Sequence, residues 1–144
     1  MKLSKSAAKN TLSLCPCESG KAYSACCGLY HAGLTNHVFA PSAEALMRSR
    51  YSAYAFALDD YFLKTWHPTT RPASLNLAED IATKWLGLQI QRAENSDANN
   101  AIVEFVARYK ICGKAERLHE VSRFQKIDQQ WFYLDGQFPN SHTV

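Results

Sequence analysis

Four thiols fall within thirteen residues of this chain: Cys15-Pro16-Cys17 and, eight residues on, Cys26-Cys27. The spacing C-x-C-x8-C-C brings four soft anionic ligands to one place. Four thiolates about 2.3 Å from a central ion form the tetrahedral cage of a structural zinc site. Pro16 restricts the backbone between the first pair, and Ser19-Gly20 marks a turn in which Gly20 can take positive φ. Residues 21–25 have the length of one helical turn and deliver Cys26 and Cys27, with Gly28 suited to the exit. A segment this short has almost no core of its own, so a bound ion would supply most of its folding free energy. Two other readings compete: a strained disulfide between the neighbours Cys26 and Cys27, or unrelated buried cysteines. Cys112 stands apart beside Gly113 in an expected turn and reads as a small structural residue. No nucleophile–base pair, glycine-rich phosphate loop or histidine-rich metal motif accompanies the cysteines.

The rest of the chain must position this cluster. At 144 residues and 47% hydrophobic it can build one core, as one domain or a domain with an appendage. No apolar run approaches the roughly 20 residues of a membrane span. Lys2, Lys5 and Lys9 precede a stretch broken by Ser4, Ser6, Asn10, Thr11 and Ser13, so no secretory apolar segment follows them. The expectation is a cytoplasmic protein, not a membrane one, in a compartment where clustered cysteines bind metal. Residues 1–27 hold four lysines against Glu18, and residues 28–144 hold twelve basic and twelve acidic side chains. The whole surplus of +3 therefore lies in the cysteine segment and its tail, and four thiolates with Zn²⁺ would reduce it to about +1. That supports nucleic-acid binding only weakly.

Residues 31–40 read as a linker, with Gly33 and Asn36 as breakers. Ser42 is a candidate N-cap, and Met47, Tyr51, Tyr54 and Leu58 recur on one helical face, with Arg48 and Ser52 on another side. A second helix is expected from Tyr61 to Trp66, closed by His67-Pro68, and a third from Asn76 through Leu77, Ile81 and Trp85. Strand patterns then start at Leu88 and recur over 101–110, 115–127 and 131–134. Turns are expected at 94–100, Cys112-Gly113-Lys114 and Asp128-Gln129-Gln130. Helices followed by meander strands imply an α+β fold with a curved antiparallel sheet wrapped over the helices.

Residues 15–28 resemble the SEC-C motif, the zinc knuckle at the C-terminus of the translocase motor SecA, where it is a docking surface rather than a catalytic site. Glu18 stands where that motif usually carries glycine, so a positive φ there would be strained. The body resembles the YchJ family through Leu46-Met47-Arg48-Ser49-Arg50-Tyr51, Thr65-Trp66-His67-Pro68, Glu104-Phe105-Val106-Ala107, His119-Glu120-Val121-Ser122-Arg123-Phe124 and Trp131-Phe132-Tyr133-Leu134-Asp135-Gly136. The resemblance implies a cone-shaped fold like that of nuclear transport factor 2. Many members carry a second knuckle near the C-terminus; these 144 residues show one cysteine cluster, so one structural zinc is expected, on Cys15, Cys17, Cys26 and Cys27. The implied organisation is a basic tail and knuckle over 1–30, a linker over 31–40, a cone domain over 41–138 and a tail over 139–144.

A cone of this kind has a concave side that can hold a small ligand. Its candidate lining is Arg48, Tyr51, Trp66, His67, Glu104, His119, Glu120, Ser122 and Arg123. Strand alternation puts His119 and Arg123 on one face and Glu120 and Ser122 on the other, so both sets cannot point inward. The structural alternative is that Arg48, Arg123, Glu104 and Glu120 form ion pairs and that Tyr51 belongs to the core. The reading that follows is an interaction protein. Its knuckle docks on a protein partner associated with the ribosome, secretion or chaperones, and its catalytic residues, if it has any, are not identifiable. The alternative is an acid–base enzyme, or a small-molecule binder, using the cone cavity.

Overall fold

The computed structural model describes residues 13–77 and 83–139. Three helices come first: α1 (Cys27–Gly33), α2 (Ala43–Ala55) and α3 (Asp59–Lys64). Four strands follow: β1 (Thr83–Asp97), β2 (Asn100–Ile111), β3 (Lys114–Ile127) and β4 (Gln130–Gln137). They form one antiparallel meander in the order β1-β2-β3-β4. The architecture is the expected α+β one.

Local chemistry explains the boundaries. Ser42 caps α2 by accepting from the Ala45 N–H at 3.1 Å, with Glu44 in the first turn. Asp59 and Asp60 open α3 and Lys64 closes it, as the helix dipole favours. The two tight hairpins have positive φ at both central residues, Cys112-Gly113 and Asp128-Gln129, the conformation that matches strand twist. Register shifts between Trp85 and Gly87, Ile90 and Arg92, and Arg123 and Phe124 curl the sheet.

Three readings of the sequence differ from the structure. Trp85 lies in β1 rather than on a third helix, because its ring packs edge-on to Tyr51 and Tyr54 and beside Tyr109; Ile81 of that expected helix lies outside the described residues. The polar run from Glu94 does not turn until after Asp97, because backbone pairing with residues 100–102 carries β1 on whatever its side chains. Residues 31–36 continue helically, α1 reaching Gly33 and a 3-10 turn covering Leu34–Asn36, before His37 takes a left-handed φ of 62°. The basic tail at 1–12 and residues 140–144 lie outside the described residues.

The inner face of the sheet presents Ala101, Val103, Phe105 and Ala107 of β2 opposite Phe124, Ser122, Glu120 and Leu118 of β3. Against it lies α2, buried on nearly all sides: Leu46, Met47, Ser49, Arg50, Tyr51, Ser52 and Ala53 are all inaccessible. The second buried side of α2, including Ser52, is covered by the cysteine segment. Cys15, Cys17 and Cys27 share one apolar cluster with Leu46, Met47, Tyr51, Leu88 and Val103. No described helix is long and apolar enough to cross a membrane.

Candidate metal centre

The cysteines are brought together by two short devices. Residues 13–23 form a miniature hairpin, in which the Cys15 N–H donates to the Lys21 carbonyl at 2.9 Å and the Tyr23 N–H to that of Ser13 at 2.9 Å. A turn closed by the Glu18 N–H on the Cys15 carbonyl, 3.1 Å, sets Cys15 and Cys17 on its inside. A 3-10 turn over Tyr23–Ala25 then delivers Cys26, and Cys27 opens α1. Glu18 has φ 63°, so a non-glycine residue does occupy a left-handed position, at a cost of about 1–2 kcal/mol. Its carboxylate reaches Arg108 of β2 at 3.8 Å.

All four Sγ atoms lie within 4.8 Å of one another. Cys17 and Cys26 are 3.6 Å apart and Cys26 and Cys27 4.0 Å. A tetrahedral zinc with 2.3 Å bonds needs sulfurs about 3.8 Å apart, so the donor set fits that ion in type, number and spacing. The Ser19 hydroxyl lies 3.1 Å from Cys26 Sγ and the Ser52 hydroxyl 3.4 Å from Cys15 Sγ, both placed to steady a ligand sulfur. Without a cation the four thiols cannot all ionise. Contact with Cys17 holds Cys15 far below the ordinary thiol range, while Cys15 in turn pushes Cys17 and Cys27 up. A divalent ion removes that conflict by favouring all four anions. With every ligand supplied by protein, the site is of the closed, structural kind.

The cluster is seated firmly on α2. Arg48 donates from Nη1 to the Cys17 carbonyl at 2.7 Å and from Nε to Glu44 at 3.1 Å. His31 of α1 donates from Nε2 to the Ser49 carbonyl at 2.8 Å and accepts at Nδ1 from the Tyr23 hydroxyl at 2.6 Å, and burial keeps its pKa low. Three of the four cysteines are buried; Cys26 is the half-exposed one. It opens onto a groove of about 410 Å³ whose lining includes Lys21, Tyr30, Glu44 and Arg48.

The other expected site residues do not meet in one cavity. Arg48 belongs to the knuckle seat, and Tyr51 is core, packed on Trp85. His67 joins α3 to the sheet, donating from Nε2 to Gln125 at 2.6 Å and accepting at Nδ1 from the Thr69 N–H at 3.1 Å. Glu104 and His119 pair at 2.7 Å on the outer face, with Arg92 also on Glu104, and these contacts hold Glu104 below the usual carboxylate range. Arg123 pairs with Asp135 at 2.6 Å in solvent.

Glu120 and Ser122 face inward, where Glu120 accepts from the Ser122 and Tyr133 hydroxyls, each at 2.8 Å. Gly136 leaves the space that Glu120 fills, since a Cβ there would collide with the carboxylate. Beside them lies Arg50, which the sequence reading passed over because arginine is rarely buried. It is 2% exposed and donates from Nη1 to the Phe62 carbonyl and the Thr65 hydroxyl, each at 2.8 Å. Its guanidinium is caged by the rings of Phe62, Tyr133 and Trp66 at 4.0, 4.5 and 5.2 Å, and burial lowers its pKa to about 9. The signal available in sequence was its position, four residues after the buried Leu46 on the same helix.

Residues 13–29 match the SEC-C motif, and residues 42–136 match the family described as YchJ, middle NTF2-like domain. A UPF0225 protein of Bordetella pertussis is 54% identical over 123 residues, covering 85% of this chain and 90% of that protein. Another, from Chromobacterium violaceum, is 51% identical over 131 residues, covering 89% and 95%. Among solved structures, a SEC-C motif containing protein from Rhodopseudomonas palustris superposes with a TM-score of 0.76 at 35% identity, covering 86% of this chain and 97% of that one. One from Psychrobacter arcticus superposes with a TM-score of 0.75 at 31% identity, covering 88% and 82%.

Proposed function

Because the chain belongs to the YchJ family, carrying its SEC-C motif ahead of its middle NTF2-like domain, we propose that it is a zinc-stabilised interaction protein of the cytoplasm. Its knuckle docks on a protein partner of the translation, secretion or chaperone machinery. The observation that carries this reading is the closed set of four sulfurs within 4.8 Å, with Cys26 alone reaching the surface at a groove. A closed thiolate site shapes a surface rather than turning over a substrate. The groove beside it offers what a docking surface needs: a lysine at its rim, an aromatic ring on Tyr30, and Arg48 and Glu44 fixed against each other. The inner-face groups that an enzyme would use, Glu120, Ser122, Tyr133 and Arg50, are engaged with one another or with backbone.

Two measurements test the reading. Native mass spectrometry of reduced protein purified without added metal is expected to show one zinc per chain, lost in Cys15→Ser. Cross-linking in cells is expected to give a defined partner that disappears both in Cys26→Ser and in Lys21→Glu, the second keeping its zinc. A metal-free protein overturns the zinc assignment, and a partner profile unchanged in both variants overturns the docking role.

A further inference from the structure

The four sulfurs of the knuckle are alike in chemistry but not in access. Cys15, Cys17 and Cys27 are 3%, 0% and 1% exposed, whereas Cys26 is half-exposed and opens onto the groove. A reagent arriving from solvent therefore meets Cys26 first. Susceptibility of a cysteine to oxidation follows thiolate character, exposure and a second sulfur in reach. Cys26 has all three when the cluster holds an ion, because a metal-bound cysteine is a thiolate.

The second sulfur is Cys17. Its Sγ lies 3.6 Å from that of Cys26, against 4.0 Å for Cys27. A bridge from Cys26 to Cys27 would close a strained ring between neighbours in the chain. Cys15 is turned toward the Ser52 hydroxyl of α2 at 3.4 Å. Closing Cys17 onto Cys26 asks for a movement of about 1.5 Å, down to the length of an S–S bond. Ser19 restrains the sulfur that is attacked first. Its Oγ accepts from the Lys21 N–H at 3.2 Å, which leaves its own proton for Cys26 Sγ at 3.1 Å. A hydroxyl donating to a thiolate draws charge from it and lowers its nucleophilicity.

We propose that Cys26 is a site of reversible oxidation by a hydroperoxide, and that the Cys17–Cys26 disulfide it forms discharges the ion and switches the docking groove off. The switching rests on the knuckle's docking role; the disulfide does not. With hydrogen peroxide, the Cys26 thiolate attacks one peroxide oxygen and the O–O bond breaks, giving a sulfenic acid and a hydroxide ion. The Cys17 thiolate then attacks that sulfur, forming the S–S bond and expelling a second hydroxide. The two sulfurs give up two electrons, and one peroxide is reduced to two hydroxide ions that solvent protonates. Cys15 and Cys27 remain, two donors in place of a closed set of four, which is too few to retain the ion. The new bond also pulls on Cys17, whose carbonyl holds Arg48 at 2.7 Å. Arg48, fixed in turn to Glu44, lines the groove, so the reaction that empties the site also reshapes the surface.

The test is titration of the reduced full chain with hydrogen peroxide, reading disulfides by non-reducing peptide mass spectrometry and released zinc with a colorimetric chelator. One Cys17–Cys26 disulfide per chain is expected, with one zinc released alongside it, both reversed by dithiothreitol and added zinc. Cys112, exposed and outside the cluster, is the reference thiol in the same chain. Ser19→Ala is expected to speed disulfide formation severalfold without changing the zinc content before oxidation. Cys26→His leaves three cysteines and one histidine, a set that also holds zinc, and is expected to slow zinc release about tenfold. If that variant does not keep its zinc, the Ser19→Ala rate decides alone, and an unchanged rate counts against the proposal. A disulfide joining any other pair overturns it, as does a cluster left reduced at peroxide levels that fully modify Cys112. Protein isolated without zinc would overturn the zinc reading instead, with disulfide mapping still deciding the oxidation site. Disulfide and zinc release with an unchanged cross-linking profile would overturn the switch and leave the oxidation site standing.

Discussion

The knuckle and the corner between α3 and β4 both bury polar groups against α2, and they settle the cost in opposite ways. At the corner, Arg50 and Glu120 are held entirely by this chain: two acceptors and three rings for the guanidinium, two hydroxyls for the carboxylate. At the knuckle, four sulfurs converge on one another and on two serine hydroxyls, and among the described residues nothing satisfies four thiolates together. The corner is complete as synthesised. The knuckle is a set of donors that an ion from outside could complete. A buried polar cluster is therefore not in itself a mark of function; the one whose valences the chain leaves open is.

The widest gap between the two should appear on chelation. Removing metal, or substituting Cys27→Ser, is expected to lower Tm by more than 10 °C, because Cys15, Cys17 and Cys27 are part of the same apolar cluster as α2 and the sheet. A Tm unmoved by a strong chelator would break the comparison. The corner should ignore the chelator but respond to its own substitutions. Arg50→Ala is expected to cost about 3–5 kcal/mol in chemical denaturation, through a cavity and orphaned acceptors. Arg50→Met, which keeps the volume, should cost less than half as much. Equal losses in the two variants would show that charge rather than packing holds the corner.

Acid and alkali should separate the regions next. Protonation of thiolates releases zinc on the acid side, so metal loss should precede unfolding there. Burial pushes Tyr51 and Tyr61 up to about 12 and Tyr133 higher still. A raised phenol pKa stabilises the fold fully below the unfolded value near 10, and that contribution is lost as pH rises toward 12. Arg50, lowered to about 9, works in the opposite sense over part of that window, one group against three. Absorbance titration should show three tyrosines ionising only together with unfolding; normal titration of all seven tyrosines below pH 11 would sink this account. Asp135→Asn, which breaks the solvent-exposed pair with Arg123, should change stability by less than about 0.5 kcal/mol and serves as the baseline.

Much of this division was legible in the sequence. The cysteine spacing, the Ser42 cap and the turns at Cys112-Gly113 and Asp128-Gln129 are set by local chemistry, and local chemistry can be read from neighbours. Trp85 was misplaced because its spacing from Leu77 and Ile81 also fits a helix; what fixes it in β1 is the company of Tyr51, Tyr54 and Tyr109, up to 34 residues away. Ser52 was put on a different side of α2 from Met47 and Tyr51, and what covers that side, Cys15, is not visible in the helical spacing. Arg50 was missed for a related reason, since a caged guanidinium depends on three rings from two other segments. Strand alternation did place Glu120 and Ser122 opposite His119 and Arg123, and the register places them so.

The reach from Glu18 to Arg108 also has a meaning in time. The knuckle leaves the ribosome before the sheet does, and the strand position that receives its carboxylate is made 90 residues later. Until then the segment has only its own turns, and any ion its sulfurs hold, to keep its shape. If the site takes a metal, supply during synthesis, and not only in the finished protein, would decide whether α2 emerges to find its partner already in shape.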